Sequence, residues 1–104
     1  MDLHDDTVTD ACEDAVAVFG EAQIGLCQEE CAELIQALSK YQRLRNGQPT
    51  YETVDEIRAN IIEEIGDVLI MLIQMQVLLE IQDYEILWTM KLKAKRIEDL
   101  VREA

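Results

Sequence analysis

The segment CQEECAELIQ, residues 27–36, carries Glu29, Glu30 and Glu33 within a stretch otherwise patterned as the buried face of a helix. Further along, IIEEIGDVLI repeats the arrangement with Glu64 and Asp67, accompanied by Glu63 and Asn60. A helix advances about 100° per residue, so with Leu34 as origin the apolar arc runs from Leu26 and Leu44 at about −80° to Ile35 at about +100°. Glu30, at about −40°, falls inside that arc, Glu33 lies at its edge near −100°, and Glu29 is further round near −140°. On the second stretch, with Ile65 as origin, Glu64 falls near −100° and Asp67 near −160°, flanked by Asn60, Met71 and the apolar Leu78.

Each stretch thus carries a carboxylate pair at i, i+3. An isolated E-x-x-E is usually a solvated helix face, but here two pairs recur on neighbouring elements and one acid lies within an apolar arc. Four acids converging without a cation repel one another, and some must stay protonated. Mg²⁺ or Mn²⁺ resolves the conflict, because hard oxygen ligands suit those ions and no His/Cys set competes for a softer one. His4 is the single histidine, on a polar tail, and Cys12, Cys27 and Cys31 form no C-x-x-C pair; they read as small core residues.

The elements that must position these acids follow from periodicity and punctuation. Residues 1–6 read as frayed, and Thr7 or Thr9 is expected to cap a first helix ending near Phe19, with Gly20 as its stop. Cys27, Cys31, Leu34, Leu38 and Tyr41 recur at helical spacing in a second helix from about Glu21 to Arg45, closed by Asn46-Gly47. Thr53-Val54-Asp55-Glu56 has the form of a capping box ahead of Ile57, Ile61, Ile65, Val68 and Leu72, which predicts a third helix from about Val54 to Ile81. Asp83 is expected to cap a fourth, from Tyr84 to about Glu103. Short connections make an all-α, antiparallel bundle of about four helices, a single domain over 1–104. Between Val68 and Leu79 the third helix is apolar on nearly every side except at Gln74 and Gln76, so its spare surface is expected to meet another subunit.

Composition agrees. Hydrophobic residues make up 49% and charged residues 30%, which suits a folded helical domain rather than a disordered chain. The formal net charge of −13 argues against nucleic acid and against anionic membrane surfaces, whereas a captured cation can reverse the potential locally for an anionic ligand. The longest apolar run, Val68 to Ile73, is too short for a membrane span, and the odd cysteine count without a signal peptide points to a reducing cytoplasm.

At these residues the sequence resembles the MazG-like all-α nucleoside triphosphate pyrophosphatases, whose hallmark is E-E-x-x-E on one helix and E-x-x-D on the next. The matches are Glu29-Glu30-x-x-Glu33 and Glu64-x-x-Asp67, within FGEAQIGLCQEECAELIQALSKY and IIEEIGDVLIMLIQM, and the likeness covers about residues 19–103. The 30 residues between Glu33 and Glu64 are slightly more than the family's usual spacing, with the excess in the Asn46–Thr53 connection. The resemblance implies that Glu30, Glu33, Glu64 and Asp67 coordinate Mg²⁺, with Mn²⁺ as a substitute, and that the ion holds the phosphates of a nucleoside triphosphate. It implies hydrolysis between the α and β phosphates, with Glu29 orienting or deprotonating the water, a role Glu63 could share. Homodimers or homotetramers are expected.

A triphosphate carries more charge than one divalent ion offsets. Lys40 and Arg43 follow the first acids on the same helix, and KLKAKR supplies Lys91, Lys95 and Arg96, which the resemblance favours as phosphate contacts and which otherwise complement a helix C-terminus. Gln23, in GEAQI, is a candidate for reading a base edge, and Asn60 for reaching ribose or metal-bound water. Trp88, Phe19 and Tyr84 offer stacking faces, although a single Trp is more often core or interface. Three other readings stay open: a nucleotide-binding or sensing module without turnover, a di-metal redox bundle, which normally needs Glu-x-x-His pairs, and a helical adaptor with ordinary surface acids.

Overall fold

The computed structural model describes residues 5–104, so Met1 to His4 of the stretch expected to fray lie outside the described residues. Four helices follow one another: α1 (Asp6–Phe19), α2 (Ala22–Arg45), α3 (Val54–Leu79) and α4 (Asp83–Glu103), and no strand occurs among the described residues. No helix of the described residues is long and apolar enough to cross a membrane.

The helix ends are set by short-range chemistry. Asp5, rather than Thr7 or Thr9, caps α1: its Oδ1 accepts from the backbone N–H of Thr7 at 2.9 Å and of Val8 at 3.4 Å, and Asp6 is already helical. A carboxylate there also meets the positive end of the helix dipole. Gly20 ends α1 at φ 57°, and its N–H donates to the Val16 carbonyl at 2.9 Å. At the close of α2, Gly47 takes φ 78° while the Gln48 N–H reaches back to the Arg43 carbonyl at 3.0 Å. Thr53 caps α3 as its sequence predicts, accepting from the Glu56 N–H at 3.1 Å and donating its hydroxyl to the Glu56 carboxylate at 3.2 Å.

Two expected boundaries move. α3 stops at Leu79 rather than Ile81, because Glu80 turns left-handed at φ 55° and the Ile81 N–H closes on the Gln76 carbonyl at 2.9 Å. Asp83 is not the cap of α4. Gln82 holds that position, its N–H donating to the Glu85 carboxylate at 2.8 Å, while Asp83 accepts from Gln76 Nε2 at 2.7 Å.

α2 and α3 form the principal antiparallel pair, α1 packs on α3 and touches α2 only lightly, and α4 packs along none of them. The bundle within one chain therefore has three helices, with the fourth standing clear. The buried core is small: Cys12, Cys27, Ala37, Ile57 and Met71, with Gln23 and Gln74. The Cys12 thiol donates to the Ile70 carbonyl at 3.6 Å and ties α1 to α3.

The rotation of α3 is the chief departure from the apolar pattern. Of the apolar series Ile57, Ile61, Ile65, Val68 and Leu72 that follows the capping box, Ile57 is buried and Ile61 and Val68 are half-buried, whereas Leu72 and Ile65 are exposed, Ile65 by 44%. The residues that turn inward are Ile57, Met71 and Gln74, on the side that also carries Asn60, Glu64 and Asp67. α2 behaves similarly: Gln23, Cys27 and Ala37 are buried and Glu30 half-buried on one side, while Ile35 and Leu38 face outward. On α4, Leu87, Met90, Ile97 and Val101 are exposed on one stripe.

Candidate metal centre

Because the acid-bearing sides of α2 and α3 face the seam between them, three of the four carboxylates expected to converge do so, and Asp67 stays outside the tight cluster. Glu30, Glu33 and Glu64 each bring a carboxylate oxygen to one point, all within 4.8 Å of one another. Glu30 and Glu64 are half-buried and Glu33 is exposed, so the cluster opens to solvent on the Glu33 side. Glu30 Oε2 and Glu64 Oε2 are sealed from solvent and have no hydrogen-bond partner. A buried polar atom without a partner is costly, more so when it bears charge.

Burial is the largest influence on Glu30, followed by the charges of Glu33, Asp67 and Glu64, with proton sharing with Glu33 acting in the same sense; together they push its carboxyl above the ordinary carboxylate range. Glu64 is pushed up in the same way, by burial first, then by Glu33, Asp67 and Glu63. Asp67 is half-buried and acts electrostatically on both, although only Glu30, Glu33 and Glu64 make up the tight cluster.

Hard cation chemistry fits this arrangement. The donors are carboxylate oxygens, two of which lack any other partner, and a divalent cation supplies the charge that relieves their repulsion. The sulfurs do not compete: burial, then the neighbouring Cys31 thiol, pushes the Cys27 thiol up, away from the thiolate a soft ion requires.

The remaining candidates divide. Asn60 is half-buried one turn ahead of Glu64. Glu29 is exposed on α2 beside Glu30, and Glu63 is exposed beside Glu64. Lys40, two turns beyond Glu33, is half-buried and pairs with Glu52 of the α2–α3 connection at 3.3 Å. Arg43, Pro49, Thr50 and Tyr51 complete the walls of a shallow pocket around that pair.

Gln23 is 7% exposed, and its Nε2 donates to Gln74 Oε1 at 2.7 Å, an amide pair closing the α2–α3 seam. Gln74 was legible only as a polar break in the apolar second half of α3. Lys91, Lys95 and Arg96 are exposed on α4, which does not pack on α2 or α3, so one chain does not gather them with the carboxylates. Trp88, Tyr84 and Phe19 are exposed as well. Comparisons with protein-family models, curated proteins and solved structures find no match to this chain.

Proposed function

We propose that the protein is a MazG-like, Mg²⁺-dependent nucleoside triphosphate pyrophosphohydrolase, acting in the cytoplasm as a homodimer or homotetramer and clearing unwanted nucleotides from the pool. The observation that carries this reading is the pair of partnerless, buried oxygens of Glu30 and Glu64 beside Glu33. Such a cluster is unstable as three bare carboxylates and suits a hard divalent ion. The E-E-x-x-E and E-x-x-D motifs supply the choice of substrate.

Glu30, Glu33 and Glu64 hold the ion, with Asp67 beside them. When bound, Mg²⁺ offsets the charge of the triphosphate oxygens and the charge that builds up on the departing pyrophosphate. Glu29, on the solvent side of α2, accepts a proton from the attacking water. The water oxygen bonds to the α-phosphorus, the bond to the α–β bridging oxygen breaks, and that oxygen leaves with pyrophosphate. Lys40 adds positive charge near the open side of the cluster. Asn60 positions ribose or a water.

Incubation with a panel of ribo- and deoxyribonucleoside triphosphates in Mg²⁺ or Mn²⁺, with products resolved by chromatography, tests the reading. Nucleoside monophosphate plus pyrophosphate is expected. Orthophosphate release overturns the reaction class, and binding without turnover leaves a nucleotide-sensing module.

A further inference from the structure

The α2–α3 seam runs on from the carboxylates in two directions. Toward the start of α2 it is closed by the buried Gln23–Gln74 amide pair, and that pairing also spends the amide that the sequence offers for reading a base. Toward the end of α2 come the half-buried Asn60 of α3 and then the shallow pocket that Lys40 and Arg43 form with the α2–α3 connection. We propose that this pocket is the base-binding end of the substrate site, with Tyr51 as the stacking face and Arg43 as the reading group, and that it selects the 6-oxopurines, guanine and hypoxanthine, over adenine and the pyrimidines. This choice of base rests on the proposed placement of the phosphates at the carboxylates.

Reach and size agree with that role. Lys40 stands two turns beyond Glu33, about 11 Å along α2. An extended nucleotide spans a comparable distance from its phosphates to its base, so a triphosphate held at Glu30, Glu33 and Glu64 brings its base to the pocket. The pocket encloses about 230 Å³, less than the roughly 300–1,000 Å³ of a site for a whole ligand. It therefore receives one end of a longer molecule.

The stacking face is open and held in place. Tyr51 is fully exposed. The connection that carries it is fixed on both sides: the Gln48 N–H donates to the Arg43 carbonyl at 3.0 Å, the Glu52 N–H donates to Thr50 Oγ1 at 3.1 Å, and Thr53 caps α3. An aromatic ring presented in this way is a platform for a heterocycle.

Charge selects the base. Glu52, the acid of the pocket, is taken up by Lys40 at 3.3 Å, which leaves the Arg43 guanidinium as the pocket's uncompensated charge. A guanidinium presents parallel N–H donors and no acceptor. Guanine and hypoxanthine set two acceptors, O6 and N7, side by side and match it, whereas adenine sets its amino N–H beside N7 and turns a donor toward a donor. Pyrimidines lack the second acceptor and cover less of the tyrosine ring.

Nucleoside monophosphates carry base and sugar and need no turnover, so they test the pocket separately from the reaction. Calorimetric titration of the full chain in Mg²⁺ is expected to show GMP and IMP binding roughly tenfold tighter than AMP, CMP or UMP, the scale of one bidentate arginine contact. Arg43→Ala is expected to remove the preference over AMP, and Tyr51→Leu to weaken every purine roughly tenfold. Both side chains are exposed, so both variants are expected to melt at the wild-type Tm. Tighter binding of AMP or of a pyrimidine overturns the proposal, as does a guanine preference that both variants retain, or failure of every monophosphate to bind. A GMP preference that depends on Arg43 and Tyr51, in a protein that hydrolyses neither GTP nor ITP, supports the base site and counts against the enzyme reading alone. Turnover of all triphosphates at equal kcat/KM, unchanged in Tyr51→Leu, supports the enzyme reading and overturns the base site.

Discussion

Glu30 and Glu64 approach each other across the α2–α3 seam, each with its Oε2 shut away from solvent and unpartnered. Helix packing places them there, and both carboxyls are pushed above the ordinary carboxylate range, chiefly by burial. Between the ordinary glutamate value of 4.5 and the raised one, the folded chain binds more protons than the unfolded chain. The stability these groups contribute is therefore fully present below the ordinary value and is lost as pH rises through the raised value. Scanning calorimetry of metal-free protein is expected to show Tm falling from pH 4.5 to pH 7.5 more steeply than in the double variant Glu30→Gln/Glu64→Gln. Equal slopes in the two proteins refute the assignment.

Metal addition reverses that trend. Mg²⁺ at a hundredfold excess over its dissociation constant adds about 2.7 kcal/mol of stability when it binds only the folded state. The gain is expected at pH 7.5 and largely absent near pH 4.5, because protons compete for the same oxygens. Calorimetric titration should record proton release on binding, and Glu64→Gln should abolish both the heat and the rise in Tm.

Glu33 separates stability from activity. It is exposed, yet its charge is the largest electrostatic influence on Glu64 and, after burial, on Glu30. Glu33→Ala therefore relieves repulsion in the metal-free protein while removing one of the proposed ligands. Its metal-free Tm is expected to rise, and its turnover of triphosphate to fall by roughly 10²-fold or more, the size of loss typical when a group stabilising transition-state charge is removed. A variant that loses Tm and keeps turnover contradicts the assignment of Glu33.

The sequence made α1, α2, α3 and α4 legible because glycines, a capping box and helical spacing punctuate them strongly. The acid cluster was legible because carboxylates three residues apart share a helix face. The facing of the helices was not legible. The apolar series of α3 includes Ile65 and Leu72, and tertiary packing leaves both exposed while it buries Met71 and Gln74 and half-buries Glu64 and Asp67. A two-sided apolar helix does not declare which side its own chain covers. Asp5 is hidden as a cap because Thr7 and Thr9 compete for that role, and Gln23 reads as a candidate for a base edge because its partner Gln74 lies 51 residues away.

The buried Gln23–Gln74 pair yields a prediction about stability alone. Replacing one amide by leucine leaves the other buried and unsatisfied, at a cost of about 1–3 kcal/mol. Replacing both is expected to cost less than the sum of the single changes, because no orphaned amide remains. Urea denaturation of Gln23→Leu, Gln74→Leu and the double variant measures this coupling. Additive losses mean that the 2.7 Å hydrogen bond contributes little.

Lys40 and Glu52 are both partly exposed, at 43% and 37% of their side chains, and joined at 3.3 Å. Water screens such a pair, so breaking it costs at most about 1 kcal/mol and Lys40→Ala should unfold at nearly the wild-type temperature. Its functional effect is expected to be larger. Lys40 follows Glu33 by two turns along α2, on the same side of the helix, which under the proposed function makes it a candidate source of positive charge for the phosphates. Lys40→Ala should raise KM for triphosphates with little change in kcat, the signature of lost ground-state binding, and added salt should narrow the gap from wild type. Glu52→Gln frees the ammonium from its carboxylate and should lower KM. Steady-state kinetics of both variants at two ionic strengths decides the matter, and unchanged KM in both removes Lys40 from the substrate site.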